Sequence, residues 1–375
     1  MKLLFALLIA VTLYLIQYKL YAKYWNRNLH ITIDFERSIV DAGEQNVLIE
    51  TIENRKWLPL PILQVKFATT RTFLFPKEET AAVTDQYYRN EFFSVLSYQK
   101  IVRELPFTCS KRGCFSVRGM DVLAKDLFLT GMLIEHLEHD SMVYVLPKKI
   151  PVTQMPFSMD VLFGSVVKKS YVNEDPFEFV GIREYQPYDS MHSVNWKNTA
   201  KSGELRVNTY HTTFSQEVAV FLNLEANTVA RAEQLCEEAI RVADASAGRL
   251  LYEHVPVGFY TNGRDLFTDA VFTTAAGAGD NHLHNIEMAL ARIDLKKEKD
   301  DFVKQLQEKV IELDRNTKIL IISNYRKEDL VKTYRELCGE GYACAWIIPE
   351  FFDVDLEETV LSLEHVQKWE ADYEY

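Results

Sequence analysis

The chain has 375 residues, of which 47% are hydrophobic and 26% are charged, so it can form hydrophobic cores and is not a disordered chain. Its 42 Lys and Arg against 54 Asp and Glu give a net charge of −12. This balance excludes a general nucleic-acid binder, because such proteins need a positive face. At ~150 residues per domain, the length predicts two or three structural units.

The first segment is apolar from Leu3 to Ile16 apart from Thr12, and it extends to Ala22. These twenty residues would form a helix about 30 Å long, which matches the hydrocarbon core of a bilayer. A cleaved signal peptide is the alternative, but it needs small residues at the cut, and large aromatic residues of the kind found at membrane interfaces follow instead. We therefore predict a single transmembrane anchor over residues 1–25, in the cell inner or plasma membrane. The aromatic residues are Tyr18, Tyr21, Tyr24 and Trp25.

Basic residues suggest the orientation of this anchor. Lys19, Lys23 and Arg27 follow the apolar run, whereas only Lys2 precedes it. An excess of basic residues marks the cytoplasmic side of a membrane segment. The five cysteines form no recognisable disulfide framework, which agrees with a reducing compartment. We expect the body of the protein to be cytoplasmic.

The region from residue 29 to residue 150 has a β-like pattern. In the run that begins with Ile31, Thr32 and Ile33, apolar residues alternate with polar ones, and the short runs of this region end at turn signals. Two prolines, Pro59 and Pro61, predict that Leu58–Leu63 lies at a sheet edge or in a turn. Because no long helical period interrupts the region, we predict a β-rich, sandwich-like domain over residues 29–150.

The spacing of the apolar residues changes in the C-terminal half. A continuous apolar run from Val218 to Leu224 is typical of a parallel strand buried on both faces. Helical patterns then alternate with apolar runs, which predicts a doubly wound α/β domain over residues 214–350 and an α+β chain overall. Residues 351–375 are rich in Asp and Glu, and we expect an acidic tail with a partly packed helix beginning near Asp355. The further apolar runs are Val255–Tyr260, Lys318–Ile322 and Ala343–Ile348.

The densest group of charged and aromatic residues lies within the segment 151–213. One interpretation is a surface that docks a partner or binds an anion through Arg183, Lys197 and Lys201. The alternative is a structural brace in which ion pairs and Trp196 pin the segment to the α/β domain. Both interpretations stay open, and they are compatible. The candidate residues are Gly181, Arg183, Glu184, Tyr185, Asp189, Trp196, Lys197, Thr199, Lys201 and Arg206.

This stretch resembles the signature of the bacterial family called domain of unknown function 58. That signature reads roughly Gly-x-Arg-Glu-Tyr-x-x-Gly-Asp, then Trp-Lys-x-Thr-Ala-Arg and Gly-x-Leu-x-Val. Here Tyr188 replaces the glycine, and His192 and Lys201 stand where arginine is usual, which puts a bidentate arginine role in doubt. Upstream, Asp126-Leu127-Phe128 is similar to the family's Asp-Pro-Phe-Gly element without its proline. The matching residues are Gly181, Arg183, Glu184, Tyr185, Asp189, Trp196, Lys197, Thr199, Ala200, Gly203, Leu205 and Val207.

The resemblance implies a membrane anchor, a β-rich region and a C-terminal domain like von Willebrand factor type A. It also implies association with a MoxR-type AAA+ ATPase and with transglutaminase-like membrane proteins. Many members carry two transmembrane helices, whereas this sequence indicates one. We therefore expect a non-enzymatic adaptor or assembly factor without a cofactor, whose partners are the bilayer and a MoxR-type ATPase.

Two other functions stay open. A hydrolase could use Glu184, Asp189 and Lys197, although nothing in the sequence fixes their separation. A metal-dependent adhesion domain would hold Mg²⁺ with an Asp-x-Ser-x-Ser motif after the first α/β strand. The corresponding residues are Asn223, Glu225 and Asn227, and the lost carboxylate disfavours a magnesium site.

Overall fold

The computed structural model describes residues 2–76, 86–151, 174–186, 191, 194–212, 217–227 and 231–371. The chain forms two compact units that divide between Lys149 and Ile150, with Leu290–Arg292 grouped with the first. Each unit has a hydrophobic core of its own.

The first element is helix α1, Lys2–Tyr24. Its residues Leu3–Tyr24 are long and apolar enough to cross a membrane, by length and composition. The predicted apolar N-terminal helix is therefore confirmed, and the crossing itself stays a prediction. Most of the helix is exposed, but Tyr21, and Trp25 directly after the helix, are only 3% and 5% exposed, because they pack into the core of the first unit.

The rest of the first unit is made of strands in two sheets, which confirms the predicted β-rich region. The sheet orders are β1-β3-β7-β5 and β2-β9-β8-β4-β6, and inward-facing residues of both sheets form one core. Alternation is clearest in β3, where every second side chain is buried. The strands are β1 Leu29–Phe35, β2 Ile39–Asp41, β3 Gln45–Asn54, β4 Leu60–Thr70, β5 Phe73–Leu74, β6 Gln86–Val95, β7 Lys100–Cys109, β8 Gly113–Lys125 and β9 Met132–Leu146.

The start of β4 agrees in part with the predicted edge or turn. Leu58 and Pro59 precede the strand, Leu60 pairs only with β6, and pairing with β8 begins at Ile62, so β4 becomes an interior strand only beyond its prolines. The pairing with β6 is irregular between Leu60 and Leu63. This bulge accommodates Pro61, because a proline cannot donate the backbone hydrogen bond that a regular ladder requires.

The second unit begins with the antiparallel pair β10 and β11, and a short helix α2 lies between them in sequence. A six-stranded sheet follows, in the order β14-β13-β12-β15-β16-β17. Its strands are parallel except for the edge strand β14. The elements are β10 Glu174–Glu184, α2 Trp196–Ser202, β11 Arg206–Thr212, β12 Val218–Leu222, α3 Ala232–Tyr252, β13 Val257–Arg264, β14 Val271–Gly277, α4 Asp280–Arg292, α5 Phe302–Glu312, β15 Lys318–Ile322, α6 Glu328–Gly339, β16 Cys344–Phe351, α7 Glu358–Leu361 and β17 Val366–Ala371.

The central strands of this sheet are covered by helices. Ala219 and Phe221 of β12 share a core cluster with apolar residues of α5 and α6. The alternate residues of β12, such as Val220, point to the other face and are equally buried, and α3 contacts the same strands. The α/β content predicted from the sequence is therefore present.

The C-terminal residues differ from the expected acidic tail. The helix expected near Asp355 is reduced to one turn, α7, and β17 adds a sixth strand parallel to β16. Trp369 of β17 donates a hydrogen bond from Nε1 to Oε1 of Glu238 on α3, at 2.7 Å. The helix predicted near Asp355 is thus present in shortened form, whereas the sequence analysis did not identify the strand β17, whose six residues include the polar Gln367, Lys368 and Glu370.

Candidate functional site

Hydrogen bonds connect the described parts of the signature stretch, which spans residues 181–207. Arg183 of β10 pairs with Val207 of β11, and the backbone N–H of Tyr185 donates to the carbonyl oxygen of Leu205 at 3.0 Å. The Oγ1 atom of Thr199 on α2 accepts from the backbone N–H of Arg206 at 3.1 Å. These bonds tie α2 to β11, so the segment is braced internally.

Both ends of α2 are capped. The side-chain Oδ1 of Asn195 accepts from the N–H of Asn198 at 3.0 Å, as an N-cap residue does. Gly203 ends the helix with φ 77°, a left-handed conformation that favours glycine. Two residues of the signature pattern, Thr199 and Gly203, therefore have local structural roles.

The charged and aromatic side chains of α2 are exposed. Trp196 is 60% exposed, and Lys197 and Lys201 are exposed on one face of the helix, four residues apart. Arg183 is exposed on β10. We call Arg183, Trp196, Lys197 and Lys201 the signature surface. The exposure of Trp196 does not fit the interpretation in which this side chain pins the segment to the α/β domain.

The remaining candidates of the segment do not form an enclosed site among the described residues. Gly181 lies opposite Thr209 in the β10–β11 pair. Glu184 is exposed, as is Lys197, and Asp189 lies outside the described residues. Because Asp189 is not described, the arrangement that the hydrolase hypothesis requires stays a prediction.

The second candidate site is the carboxyl end of the parallel sheet. In open α/β sheets, ligands bind where the strand order reverses, which here is between β12 and β15. Asn223 follows β12 and is 1% exposed. Its Nδ2 donates to Oγ of Ser323, which follows β15, at 3.0 Å. A hydrogen bond between two buried side chains therefore closes the crevice at this point.

Further amide groups extend this bond into a network. Oδ1 of Asn223 accepts from Nδ2 of Asn262 on β13 at 2.9 Å. After β15, Nδ2 of Asn324 donates to Oε2 of Glu350 on β16 at 2.9 Å, and Arg326 makes an ion pair with the same carboxylate at 2.9 Å. We call these residues the strand-end network. The amide groups of the network are all hydrogen-bonded, whereas Nε and Nη1 of Arg326 have no hydrogen-bond partner among the described residues.

The other two residues of the degenerate metal motif lie beside this network. The N–H of Glu225 donates to Oδ1 of Asn223 at 2.9 Å, and the N–H of Asn227 donates to Oδ1 of Asn324 at 3.3 Å. Burial, and next the negative charge of Asp301, raise the pKa of Glu225 above its usual range. Within the described residues, no group of three or more His, Cys, Asp or Glu side chains could hold a metal ion.

Sequence reasoning identified Asn223 and its neighbour Asn227 but missed three members of the network, Asn262, Arg326 and Glu350. Asn262 and Glu350 each lie inside an otherwise buried strand, β13 and β16. A polar residue inside an apolar run was the available signal. A single polar residue of this kind does not identify the network, because its hydrogen-bond partners come from strands that are distant in sequence.

No protein-family model matches the chain, and no curated protein matches it. Solved structures resemble part of it. The CARDB domain of a Pyrococcus furiosus protein, in complex with di-metal ions, is 12% identical, with 31% of this chain and 93% of that chain covered and a TM-score of 0.21. A non-cellulosomal cohesin from Archaeoglobus fulgidus is 7% identical, with coverage of 31% and 91% and a TM-score of 0.22. A cohesin module of a Clostridium perfringens glycoside hydrolase is 12% identical, with coverage of 32% and 95% and a TM-score of 0.22. Likenesses at these TM-scores do not bear on the function.

Proposed function

We propose that this protein is a non-enzymatic adaptor, anchored in the inner or plasma membrane by α1, whose cytoplasmic body acts through protein–protein contacts. The proposed partner is a MoxR-type AAA+ ATPase, as the resemblance to the domain of unknown function 58 implies. A transglutaminase-like membrane protein is a second proposed partner from the same source.

The hydrogen bond between Asn223 and Ser323 is the observation that carries the proposal. It lies where an α/β sheet of this order would bind a ligand, and both side chains are buried. A magnesium ion prefers carboxylate oxygens, whereas Asn223 supplies an amide that is bonded to its neighbours. This arrangement supports contact without a bound cation, and it disfavours the metal-dependent adhesion domain.

The signature surface supports a docking role. Trp196 is exposed beside Lys197 and Lys201, although the chain as a whole is acidic. Exposed tryptophan is enriched among the residues that dominate binding energy, and basic residues steer an acidic partner. The surface therefore fits a protein partner that offers carboxylates around an apolar pocket.

The finer assignment of the second unit, to the von Willebrand factor A-like class, is part of this proposal. Numbered from β12, the strand order of the sheet is 3-2-1-4-5-6, with helices on both faces. This order is that of a doubly wound fold, which supports the assignment without being specific to that class.

Photo-crosslinking of the full chain in its native membranes tests the proposal. Benzoylphenylalanine replaces Trp196 in one variant and Tyr252 in a matched control, because Tyr252 is an exposed aromatic residue elsewhere in the same unit. We expect mass spectrometry to identify an AAA+ ATPase crosslinked at position 196 and absent at position 252. Recovery of no AAA+ ATPase at position 196, with intact membrane insertion, would refute this partner.

A further inference from the structure

The turn between β8 and β9 exposes three consecutive apolar residues. Leu127, Phe128 and Leu129 are each about half exposed, at 53%, 55% and 49%. Turns in water are usually made of polar residues, glycine and proline, so an exposed apolar tip at a turn indicates a nonpolar environment outside the protein. We call these three residues the hydrophobic tip.

Hydrogen bonds to a buried aspartate fix the backbone of the turn that carries the hydrophobic tip. Asp126 is 1% exposed, and its carboxylate accepts from the N–H of Thr130 at 2.7 Å, from Oγ1 of Thr130 at 2.8 Å and from the N–H of Gly131 at 3.1 Å. Leu129 adopts a left-handed conformation with φ 59°, which closes the turn. The tip is therefore a built feature rather than a loose loop.

Helix α1 packs against this turn within the same unit. Nε2 of Gln17 donates to Oδ2 of Asp126 at 2.8 Å, and the ring centroids of Tyr14 and Phe128 are 6.4 Å apart. Further along the same helix face, Oη of Tyr21 donates to the carbonyl oxygen of Pro59 at 2.9 Å. These contacts fix the tip at the level of Tyr14 along the helix.

The length of α1 places this level inside the bilayer. Eleven residues precede Tyr14 in the span, Leu3 to Leu13, and they extend only about 17 Å. The hydrocarbon core is about 30 Å thick, so a crossing helix needs its turns beyond Tyr14, as far as Ala22. The membrane therefore reaches past the level of Phe128, and the tip lies within its apolar layer.

The outer face of the five-stranded sheet changes polarity at this end. Met132 lies next to the turn beside the half-buried Lys125. Ile134 and Phe92 lie in the following row with the half-buried Gln64, and the three apolar side chains are exposed. In the next row, about 7 Å further on, Nδ1 of His136 lies 2.8 Å from Oδ1 of Asp121. The exposed side chains of this face thus change from apolar to polar with distance from the tip.

Exposed aromatic residues lie at the level where the membrane surface is expected. The N–H of Tyr98 donates to the carbonyl oxygen of Lys56, and Trp57 is adjacent, and both aromatic side chains are exposed. Pro59, two residues after Trp57, is the partner of Tyr21, which lies about 11 Å along α1 from Tyr14. Tryptophan and tyrosine are enriched at this depth of a bilayer.

We propose that the hydrophobic tip, with the exposed apolar side chains of the sheet beside it, is immersed in the lipid leaflet next to the β-rich unit. Trp57 and Tyr98 then lie among the headgroups. The β-rich unit is held on the membrane in one orientation by two points, α1 and the tip. This inference rests on the membrane anchor of the proposed function.

Photo-crosslinking to lipid tests the inference on the full chain. Benzoylphenylalanine replaces Leu8, Phe128 or Lys111 in three variants, each reconstituted in liposomes of radiolabelled phosphatidylcholine and phosphatidylglycerol. Leu8 reports the anchor and Phe128 the tip. Lys111 is exposed before β8, at the opposite end of that strand and about 40 Å from the tip. These replacements leave the five native cysteines unchanged and affect only exposed side chains.

We expect lipid adducts at positions 8 and 128 at comparable yield, and background labelling at position 111. Labelling at position 8 without labelling at position 128 overturns the inference and leaves the anchor intact. Equal labelling at positions 128 and 111 also overturns it, because contact with lipid would not be specific to the tip. Absence of labelling at position 8 refutes the anchor, and the inference fails with it.

Discussion

Glu50 is a buried carboxyl group in the core of the β-rich unit, and its ionisation should destabilise that unit. It lies in β3 on the inward face, between Leu48 and Ile52, and is 2% exposed. Neither carboxyl oxygen has a hydrogen-bond partner among the described residues. Burial is the largest cause that raises its pKa and Glu91 is the second, while two arginines lower it, and the result is a pKa of about 7.

The expected magnitude follows from this shift. Unfolded, the carboxyl group has a pKa near 4.5, so the folded state binds more protons between pH 4.5 and about 7. The free energy of unfolding therefore falls as pH rises through this window. The difference between these two pKa values corresponds to about 3 kcal/mol, and the loss is complete above the folded pKa. Glu50→Gln removes the ionisable group and with it this pH dependence.

The assay is hydrogen exchange of the β3 amides in the full chain in detergent, corrected for intrinsic rates. The stability gained by Glu50→Gln over the wild type should grow by about 2.5 kcal/mol from about pH 5 to about pH 8, because part of the loss has already occurred at pH 5. Because the glutamine amide changes stability equally at both pH values, its contribution cancels when the stability differences at the two pH values are compared. Glu104→Gln on β7 is the control, because Glu104 is exposed. Parallel pH profiles for Glu50→Gln and the wild type would refute the reasoning.

Two further expectations concern the α/β unit. Asn223→Asp places a carboxylate in the strand-end network and should lower the free energy of unfolding by about 3 kcal/mol, a loss that Mg²⁺ does not restore. Denaturation measures this loss, and the exposed change Asn316→Asp is the control. Restoration of stability by Mg²⁺ would contradict the absence of a cation site. Trp369→Phe removes the hydrogen bond to Glu238, and it should lower the free energy of unfolding by about 2 kcal/mol and speed amide exchange in β17. The control Trp57→Phe, at an exposed position, should change neither quantity. Unchanged exchange in β17 would show that this bond does not hold the strand.

The sequence patterns predicted the elements that depend on local periodicity. The apolar run of α1 and the buried strand β15 are found where they were expected, and β12 begins at Val218 as expected. Features that depend on pairing were not predictable in this way. Pro61 lies within β4 because a bulge removes the need for its missing N–H, and a bulge has no signature in one sequence.

In the candidate site, too, local features could be predicted from the sequence, and features that depend on the fold could not. The capping roles of Asn195 and Gly203 are local, and their residue types indicate them. The exposure of Trp196 could not be predicted, because a tryptophan in a mixed polar stretch fits a buried brace and a docking surface equally well. The polar partners of Asn223 come from β13 and β15, so only the folded sheet brings them together.

The position of β17 determines how this protein tolerates shortening. Strand β16 is buried along its whole length, including the apolar run Ala345–Ile348. A chain cut before Val366 would leave that run as an unpaired sheet edge, which is a template for association with other chains and for aggregation. Proteolysis or a premature stop near residue 360 should therefore produce insoluble material rather than a slightly smaller protein.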